Sequence, residues 1–188
     1  MQTVSITDSL RLARRQAEAL LHTPNRTDLG PIDLITESLR LQVEVCLDQQ
    51  MPRASFWDVS TRQWVIQLRS TDSWEQQRFN IAHEFKHILD HGHELTLYPD
   101  SPASCGLCDA EQAADYFARY LLVPDHTLRR VWRAGLTNVS KLAECFGVAD
   151  DVIRERLRDI GYDRSVHPGP GVHRHSKSTR TGQNRNAA

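Results

Sequence analysis

Apolar residues in the first seventy positions change from a helical spacing to a strand spacing. Residues 5–21 repeat apolar side chains every three or four positions, which predicts an amphipathic helix. Residues 31–40 begin with a proline, a favourable first helical residue, and predict a second helix. Residues 41–47 alternate apolar and polar side chains, as a half-buried strand does, and residues 63–69 are a second strand candidate. The stretch around 51–52 predicts a turn or an irregular strand.

Two longer helices are predicted in the middle of the chain. Ser73 and Gln76 have capping-box spacing and apolar residues then recur with a helical period, so a helix is expected to begin at Ser73. Residues 92–108 contain two glycines and two prolines and predict a loop. Asp109 is expected to cap the next helix, and Pro124 to end it.

The last part of the chain predicts shorter helices. One is expected at 126–133. Residues 138–161 then have the cadence of a helix-turn-helix, with a periodic helix, a turn at Gly147 and Val148, and a second helix capped by Asp150. We refer to this segment as the helical unit.

The charge of the helical unit does not favour DNA binding. Residues 150–160, where a recognition helix would lie, carry three arginines against four acidic residues, a poor match to a phosphate lattice. The whole chain has a formal net charge of −1, which excludes a basic field over its entire surface. We therefore expect the helical unit to pack on the body or to dock a partner, and direct nucleic-acid binding is not expected.

The composition is that of a globular protein. Of 188 residues, 39% are hydrophobic and 25% are charged, and no apolar run approaches the roughly 18 residues of a membrane span. One domain is expected over 1–164, with 126–161 as its trailing, helix-turn-helix-like part. Residues 165–188 have too few large apolar side chains to offset ordering and predict a disordered tail. Because the start of the sequence lacks a signal-like apolar core, we expect a cytoplasmic protein without a membrane partner.

Histidines are concentrated in the predicted third helix. His83, Glu84 and His87 form an HExxH motif, and four residues make just over one helical turn, so both imidazoles project from one face and can bind one ion. Neutral imidazole suits zinc, and Glu84 is placed to take a proton from water. The motif favours a metal-dependent hydrolase over the alternative, in which these are solvated residues on the surface of a helix.

Zinc hydrolases usually have a third protein ligand, for which there are three candidates. His93 has the spacing of the extended metzincin motif, but Asp90 replaces the glycine of that pattern and no methionine follows for a Met-turn. His91 lies one turn beyond the motif, and three ligands in line along one helix cannot surround an ion tetrahedrally. Glu111, on a separate helix, can complete a His-His-Glu set, although an acid favoured by the helix macrodipole is the alternative role.

Supporting residues are also predicted. Asp115 lies one turn after Glu111 and is expected to accept the outer N–H of a ligating histidine, which fixes the tautomer of that ring. Its neighbours are apolar, so a charge there without a partner would be costly. A peptidase also needs an oxyanion stabiliser, and the candidates for this role or for substrate contact are His93, Tyr116, Tyr120 and His126.

Two blocks of this sequence carry a family resemblance. Residues 78–91, RFNIAHEFKHILDH, and 111–124, EQAADYFARYLLVP, resemble the ImmA/IrrE family of metallo-endopeptidases, among the gluzincin-like zincins. Asp115 stands where the family frequently has asparagine, and Lys86 where it frequently has glycine. Lys86 is therefore expected to put a long cation near the cleft. The resemblance extends over most of residues 30–161.

The resemblance implies both a fold and an activity. The expected fold is α+β, a zincin-like minimal metallopeptidase with a small sheet, an HExxH helix packed on a Glu-bearing helix, and a C-terminal helix-turn-helix-like unit. In the implied site, His83, His87 and Glu111 bind one Zn²⁺ per chain, and Glu84 is the catalytic residue. The implied substrate is a helix-turn-helix repressor or an antitoxin-like partner, cut to release stress-response genes.

Two other functions are compatible with the residues. A non-catalytic regulator would keep the same frame and bind a partner through the helical unit. A DNA-binding regulator would use the helical unit together with the basic tail.

Cys105 and Cys108 form a CxxC motif within the predicted loop. A redox pair normally opens a helix after a strand, so we expect two unpaired thiols. Regulation of Glu111 by oxidation of one thiol is the alternative.

Overall fold

Helices and strands occur largely where the apolar spacing predicts them. The structure, a computed structural model, describes residues 5–23, 30–37, 40–46, 54–100 and 105–162. Within these ranges, eight helices and one three-stranded sheet make a mixed α+β fold. The elements in chain order are α1 (Ile6–Leu21), α2 (Pro31–Thr36), β1 (Leu41–Cys46), β2 (Ala54–Asp58), β3 (Gln63–Arg69), α3 (Trp74–Asp90), α4 (Glu94–Leu97), α5 (Gly106–Leu122), α6 (Asp125–Arg133), α7 (Val139–Phe146) and α8 (Asp150–Asp159).

The sheet has the strand order β1-β3-β2, with β1 parallel and β2 antiparallel to the central strand β3. Strand β2 is regular over five residues, although the sequence predicts only a turn or an irregular strand nearby. A tight turn joins it to β3, and Asp58 stabilises that turn by accepting hydrogen bonds from Ser60 and Thr61. Side chains of β3, among them Ile66 and Leu68, are buried in the core, and β3 packs on α3.

Several predicted boundaries differ from the observed ones. Helix α2 ends at Thr36 rather than at residue 40, and a short helix, α4, lies within the predicted loop. Asp150 is the first residue of α8, while Ala149 occupies the capping position. The predicted tail, 165–188, lies outside the described residues.

The start of α3 is as predicted, because the Ser73 side chain accepts the N–H of Gln76. The prediction that Asp109 caps the next helix is wrong. Helix α5 begins four residues earlier than predicted, and the Cys105 sulfur caps it by accepting the N–H of Cys108.

This early start of α5 depends on glycine at position 106. A Cβ atom there would lie 2.2 Å from the backbone oxygen of Tyr98, so any larger residue would force the two segments apart. The Gly106 N–H donates to Asp100 Oδ1 at 2.8 Å, which fixes the first turn of the helix. The beginning of α5 is therefore held directly against the segment that follows α4.

The core lies around α5. This helix packs against α1 on one side and against α3 on another, and α3 packs in turn on β3. Small buried residues such as Ala13 and Ala113 permit close approach of α1 and α5, while Phe117 and Leu121 fill the space between layers. The result is that α3 and α5, which carry the candidate ligands, are held together by the main hydrophobic core.

Helices α7 and α8 occupy the region of the predicted helical unit. Helix α7 ends at Gly147 in the left-handed conformation, with φ of 62°. Helix α8 is fixed to the body by Arg156, which is 1% exposed and donates to the backbone oxygen of Val123 and to the carboxylates of Asp125 and Asp159. No described helix combines the length and the apolar character that a bilayer crossing requires.

Candidate metal centre and active site

Three side chains from two helices converge on one point. His83 and His87 lie one turn apart on α3, and their Nε2 atoms are 3.1 Å from each other. Glu111, in the second turn of α5, places Oε2 3.2 Å from His83 Nε2 and Oε1 3.5 Å from His87 Nε2. Within the described part of the chain, these three form the one cluster of histidine, cysteine and carboxylate groups whose ligand atoms are close enough to share a metal ion.

The spacing of these three ligand atoms fits zinc. Ligand atoms at 2.0–2.1 Å from a tetrahedral Zn²⁺ are about 3.3 Å from one another, and the observed separations lie within a few tenths of an ångström of that value. Burial and the neighbouring His83 lower the pKa of His87, which favours the neutral imidazole that binds metal. Glu111 remains 54% exposed, so the point of convergence is open to solvent on one side.

Asp115 supports His83 from behind. Its Oδ1 atom lies 2.9 Å from His83 Nδ1, and because a carboxylate has no proton to give, Nδ1 must donate. This hydrogen bond leaves the lone pair of Nε2 directed at the candidate metal position. The Asp115 side chain is 46% exposed, so its hydrogen bond to His83, rather than the cost of burial that the sequence suggests, accounts for its place on α5.

Glu84 is buried next to the two histidines and has a partner that the sequence did not indicate. Ser55 on β2 donates its hydroxyl hydrogen to Glu84 Oε2 at 3.0 Å. The bond occupies one carboxylate oxygen and fixes the orientation of the group. Strand β2 brings Ser55 to α3, and the sequence pattern does not predict this regular strand.

A cavity of about 670 Å³ opens over these residues. One wall is the sheet, which contributes Ser55 and Arg69, and the floor is α3, with His83, Glu84 and His87. A further wall comes from α4, from the segment after it and from the start of α5. This volume is in the range of small-ligand and peptide side-chain sites.

The four candidates for oxyanion stabilisation do not line this cavity. His93 and His126 are exposed elsewhere on the surface. Tyr120 donates its hydroxyl hydrogen to Glu18 at 2.8 Å, and burial together with this bond raises its pKa to about 12. Tyr116 packs its ring beside Tyr120, with 6.3 Å between ring centroids. Both tyrosines therefore face α1 rather than the metal centre.

The prediction that Lys86 places a cation near the cleft is wrong. Lys86 is 0% exposed and points away from the cavity, where its Nζ pairs with Asp90 one turn later and donates to the Tyr98 hydroxyl at 2.9 Å. Tyr98 in turn donates to Asp90 at 2.5 Å, and Gln16 of α1 donates to the other oxygen of Asp90. We call Lys86, Asp90 and Tyr98 the buried triad.

The CxxC motif opens helix α5 instead of lying in a loop. Cys105 and Cys108 are both free and exposed. The hydrogen bond from Cys108 lowers the pKa of the Cys105 thiol. The loop position is the reason for not expecting a redox pair, and that position is wrong.

An HExxH helix packed on a helix that bears a third acidic ligand is the arrangement used by metal-dependent peptidases. The family model of the IrrE N-terminal-like domain, Peptidase_M78, matches residues 38–158. The chain therefore belongs to this family, as the resemblance of its two helical blocks to the ImmA/IrrE proteins indicates.

Comparison with solved structures gives the same fold in a longer protein. A "Mycobacterium tuberculosis transcriptional regulator" is similar, with a TM-score of 0.56 and 17% identity, over 80% of this chain and 46% of that chain. At this identity the likeness concerns the fold alone, and this chain spans less than half the length of the regulator. No curated protein matches the sequence.

Proposed function

We propose that the protein is a zinc-dependent endopeptidase. The observation that carries the proposal is the convergence of His83, His87 and Glu111 within metal-binding distance, directly beside the buried carboxylate of Glu84. Membership of a peptidase family supports the same reaction. When bound by these three side chains, zinc supplies a Lewis acid that polarises a carbonyl oxygen and acidifies water.

Glu84 moves the proton in this proposal. Its carboxylate accepts a proton from the attacking water and then donates it to the amine of the leaving peptide. Ser55 holds one oxygen of Glu84, which leaves the other oxygen for the water. Asp115 keeps His83 in the tautomer whose Nε2 lone pair is available.

The proposed substrate is a helix-turn-helix repressor or an antitoxin-like partner. The resemblance to the ImmA/IrrE family supports this substrate, and a structural neighbour that is called a transcriptional regulator supports a regulatory setting. The cavity is open to solvent beside Glu111, so a peptide bond can reach the candidate metal position.

Glu84→Gln tests the proposal, because it removes the proton acceptor and preserves the size of the side chain. We expect the zinc-loaded variant to keep one zinc per chain and to lose cleavage of purified helix-turn-helix repressors by about 10²-fold or more, measured by mass spectrometry of the products. Glu37→Gln is the matched control, because Glu37 is exposed and does not line the cavity. Equal cleavage by the wild type and Glu84→Gln would contradict the proposal.

A DNA-binding role receives less support from the described residues. Arg156 is buried in the body, while Arg154 pairs with Asp150 and Arg158 with Glu155. Helix α8 therefore offers little free positive charge to a phosphate backbone. Salt-dependent binding of duplex DNA that disappears on removal of 138–188 would favour this role instead.

A further inference from the structure

Two large aliphatic side chains line the cavity without contributing to the hydrophobic core of the described residues. Leu95 on α4 is 90% exposed, and Leu107 in the first turn of α5 is 72% exposed. Isolated exposed leucines are common on protein surfaces. These two differ because both border the cavity that contains Glu84 and Glu111.

The backbone of the wall that carries the two leucines is held by contacts with the body of the protein. The close approach of Gly106 to Tyr98 holds the start of α5 against the segment that follows α4. Tyr98 is anchored within the buried triad, and Ser9 of α1 donates to the backbone oxygen of Leu97 at 3.0 Å. A preformed apolar surface loses little conformational freedom when it binds a side chain.

The position of this wall relative to the candidate ligands indicates which part of a bound peptide it would contact. Leu107 precedes Glu111 by four residues on α5, so the two lie on one face of the helix, one turn apart. A side chain that packs on Leu107 therefore belongs to a residue close to the peptide bond at the metal centre. Glu94 and Asp100 line the same wall, and their carboxylates disfavour an acidic side chain there.

We propose that Leu95 and Leu107 form a specificity site for a large apolar side chain, such as leucine or phenylalanine, next to the peptide bond that is cut. This inference rests on the proposed peptidase function and adds the chemical class of the residue that the enzyme selects. Contact with such a side chain removes apolar surface from water on both partners.

The test uses the zinc-loaded full chain and a peptide library in which one position next to the cleaved bond varies. We expect the wild type to prefer leucine or phenylalanine over serine or aspartate at that position. Leu95→Ser and Leu107→Ser should each reduce this preference about tenfold or more, since hydrophobic pockets discriminate on that scale. Val59→Ser is the matched control, because Val59 is an exposed aliphatic residue that does not line the cavity.

A binding measurement separates this inference from the peptidase function. The Glu84→Gln variant is titrated with fluorescent peptides that contain leucine or serine at the varied position, alone and combined with Leu107→Ser. Tighter binding of the leucine peptide that Leu107→Ser abolishes supports the site, even if the wild type cleaves nothing and the peptidase proposal fails. Cleavage with the same preference in the leucine variants would overturn the site while leaving the peptidase proposal intact.

A second copy of the chain is the other possible occupant. Sedimentation of the wild type and of both leucine variants distinguishes it. A dimer that Leu95→Ser or Leu107→Ser converts to a monomer, with peptide preference unchanged, would overturn the proposal.

Discussion

Helix α3 carries two pairs of ionisable side chains at the same one-turn spacing, and the pairs balance their charge in different ways. His83 and His87 face the cavity, where a third group with a lone pair, Glu111, meets them. Lys86 and Asp90 face the interior, where cation and anion meet each other. One face of the helix thus gathers lone pairs that lack a cation of their own, and on the other face Lys86 supplies the cation.

The comparison shows why burial alone does not identify a functional site. In the buried triad, burial lowers the pKa of Lys86 and raises the pKa of Tyr98, yet hydrogen bonds within the triad satisfy all three groups. At the candidate metal centre the Nε2 atoms of His83 and His87 and the carboxylate of Glu111 converge on one position. A cation at that position is what such a set of lone pairs favours.

Breaking the buried triad is the largest expected effect. Asp90→Ala leaves the Lys86 ammonium in the interior without its anion, so the free energy of unfolding should fall by about 3–5 kcal/mol. Urea denaturation monitored by tryptophan fluorescence measures the change.

The double variant Lys86→Met, Asp90→Leu sharpens this prediction. It removes both charges and retains apolar volume, so we expect it to be more stable than Asp90→Ala. Arg11→Ala is the exposed control, since Arg11 pairs with Asp8 in solvent and should contribute about 1 kcal/mol or less. A loss in Asp90→Ala no larger than in this control would refute the account of the triad.

Zinc should stabilise the folded wild type by binding His83, His87 and Glu111. It should stabilise a variant without Glu111 much less. At a free zinc concentration about 100-fold above Kd, linkage raises the free energy of unfolding by about 2.7 kcal/mol. We expect this gain in the wild type and in Glu37→Gln, and a much smaller gain in Glu111→Gln. Thermal denaturation with zinc and with a chelator measures it, and an equal gain in Glu111→Gln would exclude Glu111 as a ligand.

Asp115→Ala tests the support behind the metal centre. Loss of the hydrogen bond to His83 Nδ1 should weaken zinc affinity about 10- to 100-fold, which corresponds to about 1.4–2.7 kcal/mol. Competition with a chromophoric chelator gives the affinity. Asp115→Asn is the informative second variant, because its amide oxygen still accepts from Nδ1 and should restore part of the affinity.

The smallest expected effect is the acid sensitivity of the zinc-free protein. The pKa of His87 lies below the ordinary value of 6.5 in the folded state, so the unfolded chain takes up its proton first as the pH falls. The free energy of unfolding should therefore decrease below about pH 6.5, by at most about 1.4 kcal/mol for each unit of pKa shift. His87→Gln should lack this part of the decrease in urea titrations with chelator, and an unchanged pH profile would contradict it.

The sequence predicts well what depends on local spacing. Helical periodicity places His83 and His87 on one face, and Ser73 marks the start of their helix. The sequence predicts poorly that the Lys86 side chain points into the interior. A lysine and an acid four residues apart are typical of a solvent-exposed helix face. Tyr98, beyond the end of α3, and Gln16, on α1, supply polar partners for this pair in the interior.

The parts of the site that come from other segments show the same limit. Ser55 reaches Glu84 because β2 pairs with β3. The irregular sequence pattern near residue 51 does not predict this pairing. Tyr120 is aromatic and near the ligand helix in sequence, but it lies on the face of α5 that packs on α1. The aromatic character of Tyr120 does not indicate whether it faces α1 or the candidate metal centre.

The complete enclosure of Lys86 makes it a reporter of opening motions beneath helix α3. Of the two lysines that the structure describes, Lys141 is on the surface and Lys86 is sealed. An amine-reactive reagent will label Lys141 in the native protein within its ordinary reaction time. It will reach Lys86 only when α3 separates from the layer beneath it. When opening and closing are faster than labelling, the ratio of the two labelling rates gives the equilibrium constant for that separation.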